Sequence, residues 1–226
     1  VISSVSVGQE LFTDTPRGHT AVEDAYVGVV GGRTGESGDR FVYNISAGRQ
    51  RFTLGDGFLL VNTASNGSNR AALQSNARWA ADFVALAQFT YNNTRFEVFR
   101  VDPDELPSID GRTLIDGVNV QTRLRGGWEI GGAHLRVPRS DAAYFTPTGQ
   151  LGREGLRVND LRLRWQPRRA DKAGPILSAE YAVQDNRRFD MRAVGWSAEA
   201  QYQFPEARWS PSISYRYAAF SGDDAD

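Results

Sequence analysis

The sequence predicts an all-β fold of long antiparallel strands, and two observations carry the prediction. Apolar and polar residues alternate from one end of the chain to the other; in "WSAEAQYQF" every second residue from Trp196 to Phe204 is large or apolar. This period of two gives a strand one apolar and one polar face. Several segments also reach the length of about ten residues with which a tilted strand crosses a bilayer, which exceeds the usual strand length in soluble sheets.

Composition excludes several other classes of protein. The chain has 226 residues, a net charge of -1 and no cysteine, which excludes disulfides and thiolate metal sites and gives no polyelectrolyte character toward nucleic acid. The two histidines, His19 and His134, are too few for a histidine metal cluster, and neither has a plausible serine and acid around it for catalysis. No stretch approaches the roughly 20 apolar residues of a membrane helix. We therefore expect no enzyme, no cofactor, no metal and no nucleic-acid partner.

The alternation predicts about eleven strands. They lie near residues 1–12, 20–32, 40–52, 76–91, 95–101, 115–125, 128–137, 154–167, 175–184, 191–204 and 209–220.

The apolar faces of these strands carry aromatic residues mainly at the strand ends. Trp79 and Tyr91 bracket one such face, and Trp209 opens another. A transmembrane barrel places Trp and Tyr in girdles at its two interfaces, whereas the core of a soluble sandwich does not. The pattern favours contact with lipid; the ordinary β-propensity of aromatic residues is the alternative explanation.

The predicted connections alternate in length. Long segments follow the third, fifth and seventh strands, and the short pieces "NNT", "GG" and "PRRADKA" follow the fourth, sixth and eighth. Outer-membrane barrels alternate long external loops with short periplasmic turns in this way. The connections therefore predict an antiparallel transmembrane β-barrel.

The strand count predicts that this barrel is partial. A single-chain bacterial barrel has an even number of strands and both termini in the periplasm, but an odd count carries "SGDDAD" into an external loop. We therefore expect residues 1–226 to be part of a single outer-membrane barrel domain, about eleven strands of a larger barrel, truncated at least at the C-terminal end.

Two motifs resemble a known family. The stretch "ISAGRQRFTLGDGFLL", residues 45–60, resembles the strand and loop of the alginate-export outer-membrane porins, in which Gly-Arg-Gln closes a strand and Gly-Asp-Gly opens the next loop. The end "PSISYRYAAFSGDDAD" is similar to the Tyr-Arg-Tyr strand and following loop of the same family. The resemblance implies a monomeric barrel in the bacterial outer membrane, surrounded by lipid and lipopolysaccharide, that passes anionic polyuronate and works with periplasmic secretion partners.

The polar faces supply candidate residues for such a path. We expect the arginines opposite the apolar faces to point into the lumen, where a guanidinium holds a carboxylate bidentately. These are Arg123, Arg125, Arg162, Arg164 and Arg216, and the inward acids are Asp82, Glu129, Glu180 and Glu199. The acids leave two interpretations open: a dedicated anion path, or arginines that pair within a polar lumen.

The first motif supplies residues that we expect to act on the loop more than on the solute. Arg49 and Gln50 lie at a strand end, where Arg49 would anchor the loop, and Asp56 would shape the glycine turn. The loop 53–75 contains the apolar piece "FLLV", so it either folds into the lumen as a constriction or extends a strand above the membrane.

Three functions remain open on these grounds. The first is an outer-membrane channel that passes anionic polysaccharide by diffusion through an arginine-lined lumen. The second is a general or small-carboxylate porin of the same architecture. The third, of a different class, is an all-β carbohydrate-binding module whose aromatic residues form a sugar-stacking platform.

Overall fold

Ten antiparallel strands form one continuous sheet in the computed structural model, which describes residues 2–6, 17–65, 79–146, 149–168 and 171–222. The strands of the chain are β1 (Ile2–Ser6), β2 (Arg17–Ala21), β3 (Ala25–Thr34), β4 (Arg40–Arg51), β5 (Ala80–Tyr91), β6 (Thr94–Asp102), β7 (Leu114–Arg123), β8 (Trp128–Arg139), β9 (Ala143–Thr146), β10 (Gly149–Gly152), β11 (Leu156–Trp165), β12 (Gly174–Asn186), β13 (Arg192–Gln203) and β14 (Ser212–Phe220).

The large sheet is an antiparallel meander from β3 to β14. Each strand pairs with its neighbour in the chain, except that β8 pairs with β11 across the small β9–β10 hairpin. The sheet is not closed, because β3 and β14 form its two edges. The prediction of an all-β antiparallel fold is confirmed, and the architecture is that of part of a barrel.

The structure corrects the prediction at three places. Of the predicted strand 1–12, the described part pairs with β2 as a separate two-stranded sheet, and residues 1 and 7–12 lie outside the described residues. The connection between β8 and β11 contains a second small hairpin, β9–β10, which was expected to be a plain loop. Trp209 lies in the turn before β14 with a φ of 69°, because β14 begins only at Ser212.

Connection lengths follow the predicted alternation from β4 to β12, but the β12–β13 connection, residues 187–191, is shorter than the connection on either side of it. At one end of the sheet the strands are joined by turns as short as Asn92 and Asn93 between β5 and β6, whereas at the other end the β4–β5, β6–β7 and β8–β11 connections are long. We call these the turn end and the loop end. Among the described residues, no helix has the length and apolar character needed to cross a membrane.

One face of the sheet is apolar and exposed. Side chains such as Ile45, Phe96, Val120 and Tyr215 remain 39 to 72% exposed, far more apolar surface than a soluble monomer normally shows. Aromatic pairs lie on this face toward the turn end, where the Trp128 and Trp165 ring centroids are 6.0 Å apart. This is the position of an interfacial girdle.

The opposite face carries the buried core. The chain segment after β4 folds back over this face, and its Phe52 and Leu54 pack with β5, β6 and β8 side chains. We call the face that this segment covers the inner face, and the exposed apolar one the outer face. The core cluster consists of Phe52, Leu54, Ala81, Val84, Phe99, Val101, Ala133 and Leu135.

Candidate functional site

Residues 52–65 form a strap across the inner face. At its start, Phe52 packs on Phe99 of β6 with ring centroids 4.5 Å apart. Farther along, Phe58 stacks on Phe220 of β14 at 5.7 Å, at the far edge of the sheet. The strap therefore spans the inner face from β4 to β14, which agrees with the first of the two predictions for this loop, that it folds into the lumen. Residues 66–75 of the predicted loop lie outside the described residues.

The turn at the strap's tip depends on its glycines. Gly57 donates its N–H to the Leu54 carbonyl at 3.0 Å, and Gly55 and Gly57 have φ values of 55° and 86°, a region that favours glycine. A Cβ on Gly55 would lie only 2.9 Å from Cδ of Arg162, so the backbone of the tip lies directly against the Arg162 side chain. Asp56 is exposed between the two glycines.

Arg49 ties the strap to the loop end of the sheet. Its guanidinium donates to the carboxylates of Asp82 and Asp104. Asp104 is 2% exposed, and its backbone pairs with the strap through Asp104 N to Thr63 O and Ser65 N to Asp104 O, both at 2.8 Å. This geometry suits the predicted anchoring role of Arg49.

Gln50 lies beside Arg49 but faces the sheet. It is 8% exposed, donates to the Val84 carbonyl at 3.2 Å and accepts from Ser46 Oγ at 3.1 Å. These bonds span the bulge between Gly48 and Gln50, where the β4–β5 register shifts. Gln50 thus stabilises the irregular strand end from which the strap departs.

A buried polar cluster lies beneath the strap's tip. Arg162 pairs across strands with Glu180, donates to Asn119 and lies 3.2 Å from Asp160 Oδ2. Asn119 in turn donates to Glu97. These five residues are between 0 and 8% exposed, so Arg162 is held by acids and is out of a solute's reach.

Toward the turn end the inner face carries charges that remain exposed. Glu129 accepts from Gln121 at 2.6 Å and from Arg123 at 2.7 Å, and the Arg123 side chain is still 77% exposed. At the same level of the sheet, three strands farther along, Glu199 accepts from Arg216 at 2.7 Å, and the Arg216 side chain is 62% exposed.

Two cavities separate the strap from these charges. The larger, of about 780 Å³, is lined by four arginines, Arg95, Arg123, Arg164 and Arg168, and by only two carboxylates, Asp56 and Glu129. The smaller, of about 40 Å³, lies between the strap's tip and β11 to β14, with Glu180, Glu199 and Arg216 in its wall. The strap's tip therefore lies close against β11 to β13, whereas inner-face side chains of β14 such as Arg216 stay exposed.

The structure brings most of the predicted path residues together and leaves two apart. Arg123, Arg162, Arg164, Arg216, Glu129 and Glu199 share the inner face with Glu180. Arg125 lies in the 3₁₀ turn Arg125–Gly127, because β7 ends at Arg123. Asp82 lies at the loop end, paired with Arg49.

Sequence reasoning missed the other two arginines of the large cavity and two members of the buried cluster, Glu97 and Asp160. Arg95 is the second residue of β6, on the same face as Gln121, and Arg168 lies in the β11–β12 turn. The alternation of β6 contained the signal for Arg95 and Glu97, since each occupies a polar-face position. Nothing local marks Arg168 or the burial of Asp160.

Comparison with known proteins agrees with this arrangement. The family described as "Alginate export" matches residues 4–226, which is nearly the whole chain. No curated protein and no solved structure matches the sequence. The family consists of outer-membrane transport porins that export polysaccharide and are not enzymes. The chain therefore belongs to the alginate-export family.

Proposed function

We propose that this protein passes anionic polyuronate by diffusion along the charged half of its inner face, past a constriction made by the strap. The observation that carries the proposal is the cavity of about 780 Å³ in which four arginines meet two carboxylates. Such an excess of positive charge attracts a polymer that carries one carboxylate per sugar.

The accessible arginines suit transient binding. The Arg123 and Arg216 side chains are 77 and 62% exposed although each contacts a carboxylate. A guanidinium presents five donors, so an arginine that already binds Glu129 or Glu199 keeps others for a solute. Exposed ion pairs are weak, and a ladder of weak sites gives passage instead of trapping.

The strap supplies the constriction. The crevice between its tip and β11 to β14 has a volume of about 40 Å³, which holds at most a few water molecules. A sugar polymer passes only where the strap leaves the larger cavity open, or after the strap moves. Arg162 supports the tip from below and is not itself part of the binding ladder.

A general or small-carboxylate porin is the second candidate, and a specific observation favours it. Arg123 and Arg216 each bind an acid of the same face, at 2.7 Å in both cases. Charges of both signs across a narrow lumen produce a transverse field without selecting a polymer. The two candidates differ in whether oligouronate binds more tightly than a single carboxylate.

The test is single-channel conductance of the protein in a planar bilayer, with oligouronate or acetate added, before and after Arg123→Gln with Arg164→Gln. We expect anion-selective current that oligouronate blocks, and a block about tenfold weaker in the double variant, since a hydrogen bond to a charged group contributes about 1.5 to 3 kcal/mol. Arg125→Gln is the matched control, because it removes the same charge from the turn beside the cavity wall.

The outcomes separate the candidates. Block by oligouronate that survives in the double variant contradicts the arginine path. A weakly selective pore that is indifferent to oligouronate supports the general porin. Absence of conductance, together with folding and sugar binding in the absence of detergent, supports the carbohydrate-binding module.

A further inference from the structure

A row of charged residues crosses the outer face near the loop end. The register pairs Arg100 with Asp116, Asp116 with Arg136, Arg136 with Arg157, Arg157 with Asp185, and Asp185 with Arg192. Six successive strands, β6, β7, β8, β11, β12 and β13, thus each contribute one charge at the same level. Four of these six side chains are arginines. We call the six residues together the outer charge row.

At one end of the row, two arginines share a single carboxylate. Arg100 binds Asp116 through Nε at 2.6 Å and Nη2 at 3.0 Å, and Arg136 binds Oδ2 of the same carboxylate at 3.2 and 3.0 Å. Asp116 is 14% exposed, whereas the two arginine side chains are 50 and 64% exposed. One positive charge therefore stays uncompensated, and both guanidinium groups keep donors directed to the surroundings.

An apolar groove of about 920 Å³ begins at these arginines. Its middle is lined by the small side chains of Ala47, Ala85 and Ala87, and larger apolar residues such as Ile45 and Val98 form its sides. Arg100, Asp116, His134 and Arg136 line its charged end. A long apolar groove with a cationic end is complementary to a molecule with an acyl chain and an anionic head.

The groove lies on the face that meets lipid. The charge row is near the long loops, which outer-membrane barrels direct to the exterior, and the residues next to it toward the turn end are mainly apolar, such as Val98, Val118 and Val194. His134 and Asn159, the polar residues at this level, bind each other at 2.9 Å. Arg100 and Arg136 thus lie where the headgroups of the outer leaflet begin.

From this geometry we infer that the outer face holds a specific site for a phosphorylated glycolipid of the outer leaflet. One acyl chain lies in the alanine groove, and a phosphate binds Arg100 and Arg136. Arginine matches phosphate geometry bidentately, and desolvation at the edge of the bilayer strengthens the contact. The inference rests on the outer-membrane location of the protein and is independent of which solute passes through the lumen.

The test is lipid binding to the detergent-solubilised protein, measured by native mass spectrometry with bisphosphorylated lipid A as the probe. We expect Arg100→Gln with Arg136→Gln to weaken binding at least tenfold, and Ala85→Phe, which fills the groove without changing charge, to weaken it similarly. The matched control, Arg123→Gln with Arg216→Gln, removes the same charge from the inner face and should leave binding unchanged. Inorganic phosphate should not compete at millimolar concentration.

Four results would overturn the inference. They are undiminished lipid A binding in the Arg100–Arg136 variant, undiminished binding in the Ala85 variant, equal loss in the inner-face control, and displacement by inorganic phosphate. Conductance of each variant is measured in parallel, and we expect the outer-face variants to conduct like the parent protein. If lipid A does not bind but oligouronate still blocks the current as expected, only this site is refuted. If lipid A binds as expected but oligouronate does not block the current, only the proposed transport path is refuted.

Discussion

The two halves of the inner face differ although the same strands build both. On β6, Arg95 and Glu97 lie toward the turn end, whereas Phe99 and Val101 lie toward the loop end. The apolar half is buried because Phe52 and Leu54 of the strap cover it, and the charged half borders a cavity. One face of a barrel strand can thus serve as a packing surface over part of its length and as a polar wall over the rest.

The buried cluster around Arg162 lies at the boundary between the halves, and a substitution there should lower the free energy of unfolding most. Arg162→Met leaves Asp160 and Glu180 buried without their cation, and we expect a loss of about 3 to 5 kcal/mol in the free energy of unfolding. Urea unfolding in lipid vesicles measures it. Arg164→Met is the matched control on the same strand and face, since the hydrogen bond that its guanidinium donates to Gln166 Oε1 is long, at 3.5 Å. Equal losses of unfolding free energy in the two variants would show that the buried cluster contributes nothing specific to stability.

Weakening the strap's contact with the apolar half should open the lumen. Leu54 is 1% exposed, and Leu54→Ala removes a packed side chain that contributes about 2 to 5 kcal/mol. Since about 1.4 kcal/mol corresponds to tenfold in population, we expect the open state to rise at least tenfold, seen as larger single-channel conductance. Val61→Ala, which shortens a 57% exposed side chain of the same strap, should change little. A conductance insensitive to Leu54→Ala would mean that the strap does not constrict the path.

Removing an acid from the charged half should make that half more positive and raise anion selectivity, with a smaller effect than the two variants above. Glu129→Gln removes the ion-pair partner of Arg123. It also removes one negative charge from the cavity wall, which becomes more positive. Exposed pairs contribute about 0.2 to 1 kcal/mol, so we expect anion selectivity to rise a few-fold in reversal-potential measurements. Glu36→Gln, in the β3–β4 turn, removes the same charge away from the cavity. A selectivity that falls, or that changes equally in both variants, would contradict the proposed role of this wall.

The smallest effect is expected outside both halves, at the turns. Lys172 and Glu206 join the β11–β12 and β13–β14 turns at 2.5 Å, which lowers the pKa of the Glu206 carboxyl and raises that of the Lys172 ammonium. The Glu206 contribution is present above its ordinary pKa and lost as pH falls through the lowered one. The Lys172 contribution is present below its ordinary pKa and lost as pH rises through the raised one.

The pair is therefore complete between about pH 5 and 10. Lys172→Met should leave the unfolding midpoint at pH 7 unchanged within error, because exposed pairs are weak and screened by salt. The same unfolding series, run from pH 7 down through the lowered pKa of Glu206, checks this. A clear loss at pH 7 that disappears below that pKa would show that the turn contact contributes more to stability than we expect.

Local sequence predicted the site only in part. Arg123, Arg164 and Arg216 could be assigned to the inner face, because strand alternation fixes which side chains share a face. Arg125 was placed wrongly because β7 ends two residues earlier at a glycine-rich turn, and alternation does not show where a strand stops. The sequence also could not separate the exposed Arg123 from the buried Arg162, since both alternate with apolar residues in the same way.

The sequence by itself determined most strands of the large sheet, their two faces and the alternation of long and short connections from β4 to β12, because each of these depends on residues that are close together in the chain. The tertiary structure alone decided that the strap covers one half of the inner face, that Arg162 is buried among acids, and that arginines of three separated segments line one cavity. These features depend on contacts between distant residues, such as Arg162 with Asn119, 43 positions apart. Such contacts arise only when the sheet curves and the strap packs against it.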